Sequence, residues 1–62
     1  MFLENNMYID THEIDEVLYN LTYLGNNTYR VLEGNKPTDI IIIENTEANA
    51  KERFHNIMEY YK

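Results

Sequence analysis

The sequence predicts a small α+β protein, in which a three-stranded antiparallel β-meander carries a C-terminal helix on one face and a short N-terminal helix precedes the sheet. Three observations lead to this class. Four consecutive isoleucines follow a turn-like segment, apolar residues then recur at helical spacing, and glycine and asparagine clusters separate the earlier apolar segments. A chain of 62 residues leaves no room for a second domain, so residues 1–62 are expected to form a single domain.

The C-terminal segment is predicted to be a helix that begins at Asn45 or Thr46. Either side chain can accept a hydrogen bond from a free N–H group of the first turn. Glu47 lies in that first turn, where the helix dipole favours a negative charge. Glu47 and Lys51 are four residues apart in the favourable order for an ion pair. The apolar residues that share one face of this helix are Ala50, Phe54, Ile57, Met58 and Tyr61.

Residues 38–44 are predicted to form a strand, because isoleucine is β-branched and suits a pleated sheet. Alternation places Ile40 and Ile42 on one face of that strand. It places Ile41 and Ile43 on the other. A single helix covers a single face, so the second pair is a candidate oligomer interface.

The upstream half is predicted to contain two more strands, at residues 21–24 and 28–33. Gly25, Asn26 and Asn27 form the turn between them, and residues 34–37 form the next turn. A short strand at residues 7–9 would be an addition to this sheet.

The segment 11–20 fits two structures. Ile14, Val17, Leu18 and Leu21 have helical spacing, and Asp10 with Glu13 resembles a capping box, which favours a short helix. The alternation of Val17, Tyr19, Leu21 and Tyr23 favours a strand instead. The helix is the preferred prediction.

No motif in the sequence predicts catalysis. The chain has no cysteine and no serine, and its two glycines lie in turns, so thiol and serine nucleophiles and glycine-rich phosphate loops are excluded. His12 and Glu13 begin a zinc-protease signature, but residue 16 is glutamate where that signature needs histidine. His55 and Glu59 read as a surface pair on the last helix. We therefore expect a protein without enzymatic activity, cofactor or metal.

The charge distribution is the feature that points to a partner. The net charge is −6, and the first 29 residues contain acids but no lysine or arginine. Such a surface repels nucleic acid and anionic membrane and attracts basic proteins. The residues expected to bind a basic partner are Glu4, Asp10, Glu13, Asp15, Glu16, Tyr19 and Tyr23.

In general character, the acidic segment 4–16 and the strand-then-helix segment 39–61 resemble the small acidic inhibitors encoded by phages, of the anti-CRISPR and DNA-mimic type. That resemblance implies a cytoplasmic protein of a bacterial host that inhibits a Cas nuclease or another nucleic-acid-binding enzyme, without binding nucleic acid or membrane itself. The alternative is a homodimeric structural or regulatory protein that buries Ile41 and Ile43, whose acids serve only solubility.

Overall fold

The computed structural model describes residues 8–61, which form four strands and one helix. The elements are β1 (Tyr8–Ile14), β2 (Val17–Gly25), β3 (Thr28–Glu33), β4 (Lys36–Ile43) and α1 (Glu47–Glu59). Each strand pairs antiparallel with the next, so the sheet order is β1-β2-β3-β4. The α+β class is therefore right, but the prediction of three strands is wrong, because the sheet has four.

The predicted N-terminal helix is also wrong, since residues 11–20 form the end of β1, a tight turn and the start of β2. Asp15 and Glu16 have φ of 52° and 70°, the conformation of a two-residue type I′ hairpin turn. Ile14 pairs with Val17 across it. Such turns usually contain glycine or asparagine, so an Asp-Glu pair does not indicate a hairpin. The helical spacing of the nearby apolar residues therefore led to the wrong prediction. Of the predicted strand at residues 7–9, residues 8 and 9 belong to β1, and residue 7 lies outside the described residues.

The helix follows its prediction closely. Thr46 is the N-cap, and its Oγ1 accepts a hydrogen bond from the Asn49 N–H at 3.1 Å. The predicted ion pair forms, with Lys51 Nζ 3.3 Å from Glu47 Oε2. Tyr61 lies beyond the helix, where its ring packs against Tyr19.

The core lies between α1 and one face of the sheet, which we call the covered face. Three helix residues of the predicted stripe, Ala50, Phe54 and Met58, are buried there. The sheet supplies the buried side chains of Tyr19, Leu21, Tyr29, Val31 and Ile42. Ile40 and Ile57 pack at its margin. Ile40 and Ile42 therefore share the covered face, as the predicted alternation requires.

The opposite face of the sheet, which we call the open face, receives no helix from the described chain. The register places Leu18 opposite Glu13, Ile41 opposite Arg30 and Ile43 opposite Thr28, all on this face. Ile41 and Ile43 are exposed, as their predicted direction requires. The fold therefore leaves one apolar face of the sheet in contact with solvent.

Candidate binding surfaces

The open face carries large apolar side chains that solvent reaches. Leu18 is 51% exposed, Leu24 53%, Ile41 42% and Ile43 70%. They lie on β2 and β4, on either side of β3. Scattered single apolar residues are normal on a surface, but four on one sheet face make a patch of the kind that binds protein. The sequence located Ile41 and Ile43 on this face. It did not locate Leu18, which was assigned to a predicted helix, and it assigned Leu24 to a strand without giving that residue a face.

A buried amide fixes the part of the open face nearest β1. Asn20 Nδ2 donates to the Gly34 carbonyl at 2.7 Å, and its Oδ1 accepts from Thr11 Oγ1 at 2.8 Å. Asn20 therefore joins β1, β2 and the β3–β4 turn. A buried amide with both partners satisfied rigidifies its surroundings, so this patch is held in one shape.

Arg30 lies at the centre of the open face, opposite Thr22 on β2 and Ile41 on β4. Its Nε is buried and has no hydrogen-bond partner among the described residues. A buried donor without an acceptor costs roughly 1–3 kcal/mol.

A second surface lies at the end of the sheet where the β1–β2 and β3–β4 turns meet. The exposed carboxylates gathered at this acidic end are Glu13, Asp15, Glu16 and Glu33. Burial, aided by the charges of Glu33 and Asp15, raises the pKa of Tyr19 nearby. Lys36, which pairs with Glu33 in the register, lies at the same end.

The structure separates the residues predicted to bind a basic partner. Glu13, Asp15 and Glu16 are exposed at the acidic end, although on a hairpin and not on one helical face. Glu4 lies outside the described residues. Glu33 was not predicted, because only the four-stranded register brings it beside the first turn.

The other three predicted residues lie elsewhere. Tyr19 is buried in the core, where its ring packs against Tyr61. Tyr23 is exposed and packs on Tyr29, with ring centroids 4.9 Å apart. Asp10 turns toward the helix, and its Oδ2 lies 2.7 Å from His55 Nε2.

Asp10 belongs to a polar cluster that the sequence did not reveal. His55 Nδ1 lies 2.7 Å from Nδ1 of His12, so the three side chains form a chain from β1 to α1 and back. Partial burial opposes ionisation, but the Thr11 N–H and His55 hold the pKa of Asp10 below its ordinary value. The predicted pairing of His55 with Glu59 overlooked this contact, because 43 residues separate the two histidines.

A groove of about 780 Å³ runs along α1 beside the end of β4. Ile40, Ile57 and the two C-terminal tyrosines line it, together with Glu44 and Arg53. The last two form an ion pair, with Arg53 Nε 2.6 Å from Glu44 Oε2. None of the sequence-predicted binding residues lines this groove.

Residues 8–61 contain no group of three histidine, aspartate or glutamate side chains able to hold a metal ion. Nor does that part of the chain include a helix long and apolar enough to span a membrane. Comparison of the chain with protein families, curated proteins and solved structures gives no match.

Proposed function

We propose that this protein is a non-catalytic binding protein that acts as a homodimer, with the open face as its interface. The observation that carries the proposal is the exposure of Leu18, Leu24, Ile41 and Ile43 on one side of the sheet. A second copy presents the same patch, so two open faces form a self-complementary, isologous contact.

The size of the open face fits a small and weak dimer. Four strands spaced about 4.8 Å apart, each about seven residues long at about 3.3 Å per residue, give a face of roughly 19 by 23 Å. Two such faces cover roughly 900 Å² in projection, and the relief of the side chains adds accessible area. Stable specific interfaces bury about 1,200–2,000 Å² and weak ones about 1,000 Å², so face-to-face packing lies at the lower end of that scale.

The charges of the open face also allow self-association, even though each copy carries a net charge of −6. Alternation places one basic residue, Arg30, and two acidic residues, Glu13 and Asp39, on this face. In a two-fold symmetric dimer, every contact between the two copies occurs twice. Across the interface, the positive charge of Arg30 can therefore offset the negative charge of Glu13 or Asp39 of the second copy.

The test compares Ile43→Lys with Val17→Lys by light scattering during size exclusion at several protein concentrations. Ile43 lies on the open face, and Val17 is an exposed apolar residue on the covered side of β2. Each substitution lowers the net negative charge by the same amount, which weakens repulsion between copies. A loss of dimer in Ile43→Lys alone therefore reports the apolar contact.

The expected result is a dimer for the wild type and for Val17→Lys, and a folded monomer for Ile43→Lys. Circular dichroism verifies that both variants keep the fold. A wild type that is monomeric at all concentrations refutes the proposal. So does a dimer that persists in both Ile43→Lys and the double variant Ile41→Lys/Ile43→Lys.

The second candidate function is inhibition of a nucleic-acid-binding protein in the cytoplasm of a bacterial host, as the resemblance to phage-encoded inhibitors implies. The observation that favours it is the meeting of Glu13, Asp15, Glu16 and Glu33 at the acidic end. Fixed carboxylates on a folded surface can occupy the Lys/Arg surface that otherwise contacts phosphates.

This candidate is tested by capturing partners from bacterial lysate with the tagged wild type and with a variant in which those four acids are changed to their amides. The control changes Glu52 and Glu59, which are exposed on α1. Mimicry requires that the wild type captures a DNA- or RNA-binding protein and that double-stranded DNA displaces it. The amide variant must no longer capture that protein. Capture that survives in the amide variant, or that DNA does not displace, excludes mimicry through the acidic end.

A further inference from the structure

We infer that the His12–His55 pair is a pH-sensitive latch between the edge strand β1 and the helix α1. Its Nδ1 atoms face each other at 2.7 Å, a distance at which one nitrogen must carry a proton and the other must not. Both side chains are only partly buried, so protons from solvent can reach them.

The positions of the protons follow from the third member of the cluster. An ionised Asp10 carboxylate can only accept, so His55 Nε2 donates to it. In the neutral pair, His55 Nδ1 is then the acceptor, and His12 Nδ1–H is the donor. This arrangement gives every nitrogen and oxygen of the contact a compatible partner.

One added proton leaves the latch closed. If His12 takes it, His12 Nδ1–H still donates to His55. If His55 takes it on Nδ1, His12 must change tautomer and carry its own proton on Nε2; the bond then reverses, and the positive His55 ring lies beside the Asp10 carboxylate. A second proton places N–H groups on both facing nitrogens, so the hydrogen bond is lost and two positive rings lie together. The latch therefore opens at the second protonation and not at the first.

The cluster is placed where its opening affects packing. His12 meets Phe54 edge to face at 6.3 Å, and Phe54 is the fully buried residue at the centre of α1. Further charged or titratable groups on these elements are Tyr19, which pairs with His12 across β2, Lys51, whose charge acts on Asp10, and Glu52 and Glu59, three and four residues from His55 on α1. Free histidine titrates between pH 5 and 8, so this is the range over which the effect is to be measured.

The direction in which stability changes with pH follows from the hydrogen bond that the second proton removes. A folded pair with N–H groups on both facing nitrogens has lost the Nδ1–Nδ1 hydrogen bond, whereas the unfolded chain has no such bond to lose. Stability therefore falls as the pH drops through the range in which free histidine is protonated. Losing one hydrogen bond of ordinary strength reduces the folded-to-unfolded ratio about five- to tenfold.

The test measures urea unfolding of the full chain between pH 8 and 5 for the wild type and for His12→Asn. The asparagine amide can donate to His55 Nδ1 or accept from it, so this variant holds the contact in either protonation state of His55. The expected result is a midpoint that falls with pH in the wild type and changes less in His12→Asn. Parallel profiles for the two proteins overturn the latch.

A second measurement on the wild type does not depend on any substitution. Nitrogen-15 shifts of the imidazole rings report which nitrogen carries a proton. The latch requires two separated protonation steps and loss of the coupled Nδ1 signals at the second. Two independent single-step titrations with unchanged Nδ1 signals overturn it.

Discussion

Phe54 is the side chain on which the packing of α1 against the sheet most depends. It is 0% exposed, lies in the middle of the 13-residue helix and contacts His12 on β1. We predict that Phe54→Ala removes a large part of the stability of the protein, whereas Phe54→Leu removes much less.

The magnitude follows from the size of the domain. Truncation of a buried phenylalanine to alanine costs about 3–5 kcal/mol, because transfer free energy is lost and a cavity remains. At roughly 0.05–0.15 kcal/mol per residue, a 62-residue chain has a total stability of about 3–9 kcal/mol. The alanine variant therefore loses between about a third and all of that stability. Leucine keeps most of the apolar volume, and its cost of about 1–1.5 kcal/mol is measurable in a protein that still folds.

The assay is urea unfolding followed by circular dichroism, with Glu52→Ala as the control on the exposed side of α1. The control is expected to change stability by less than about 0.5 kcal/mol. A cost below about 1 kcal/mol for Phe54→Ala would refute the reasoning. It would mean that the helix does not bury this residue against the sheet.

Three further substitutions test local features of the fold by the same unfolding assay. Thr46→Ala removes the N-cap acceptor of Asn49 N–H and is expected to cost about 1 kcal/mol, most of which Thr46→Asp restores. Glu16→Gly relieves a left-handed backbone (φ 70°) and is expected to stabilise the protein by a few tenths to about 1 kcal/mol; a loss would contradict the turn assignment. Because the folded-state pKa of Asp10 is lowered, its contribution is present above the unfolded value and lost as pH falls from about 5 toward 3. Asp10→Asn is therefore expected to flatten that part of the pH profile, and an unchanged slope would contradict it.

The part of the fold that the sequence predicted depends on local signals. The helix was predicted because a cap, an ion pair and an apolar stripe all agree from Thr46 to Met58. The two directions of the isoleucines in β4 follow from strand alternation alone. The Asn26–Asn27 turn, with φ of 54° and 60°, uses the residue type that tolerates this conformation.

The part that the sequence did not predict depends on contacts between distant residues. Asp15 and Glu16 adopt positive φ against their ordinary preference, so no local signal separated β1 from β2. That hairpin in turn creates the acidic end, since Glu33 reaches it only through the register of β2 with β3. His12 and His55 meet because α1 crosses back over β1, which no spacing in the sequence encodes.

The open face and the acidic end point in different directions, and this decides how the two candidate functions relate. The side chains of the open face stand perpendicular to the sheet, whereas Asp15 and Glu16 lie in the turn beyond the ends of its strands. Packing two open faces together therefore leaves the turn carboxylates of both copies in solvent. A dimer would present two acidic ends, each without Glu13, which lies on the packed open face, and this raises the local charge available to a basic partner. If dimer-breaking Ile43→Lys weakens capture of such a partner while the four carboxylates are unchanged, both surfaces act in one function; if capture is unaffected, each acts alone.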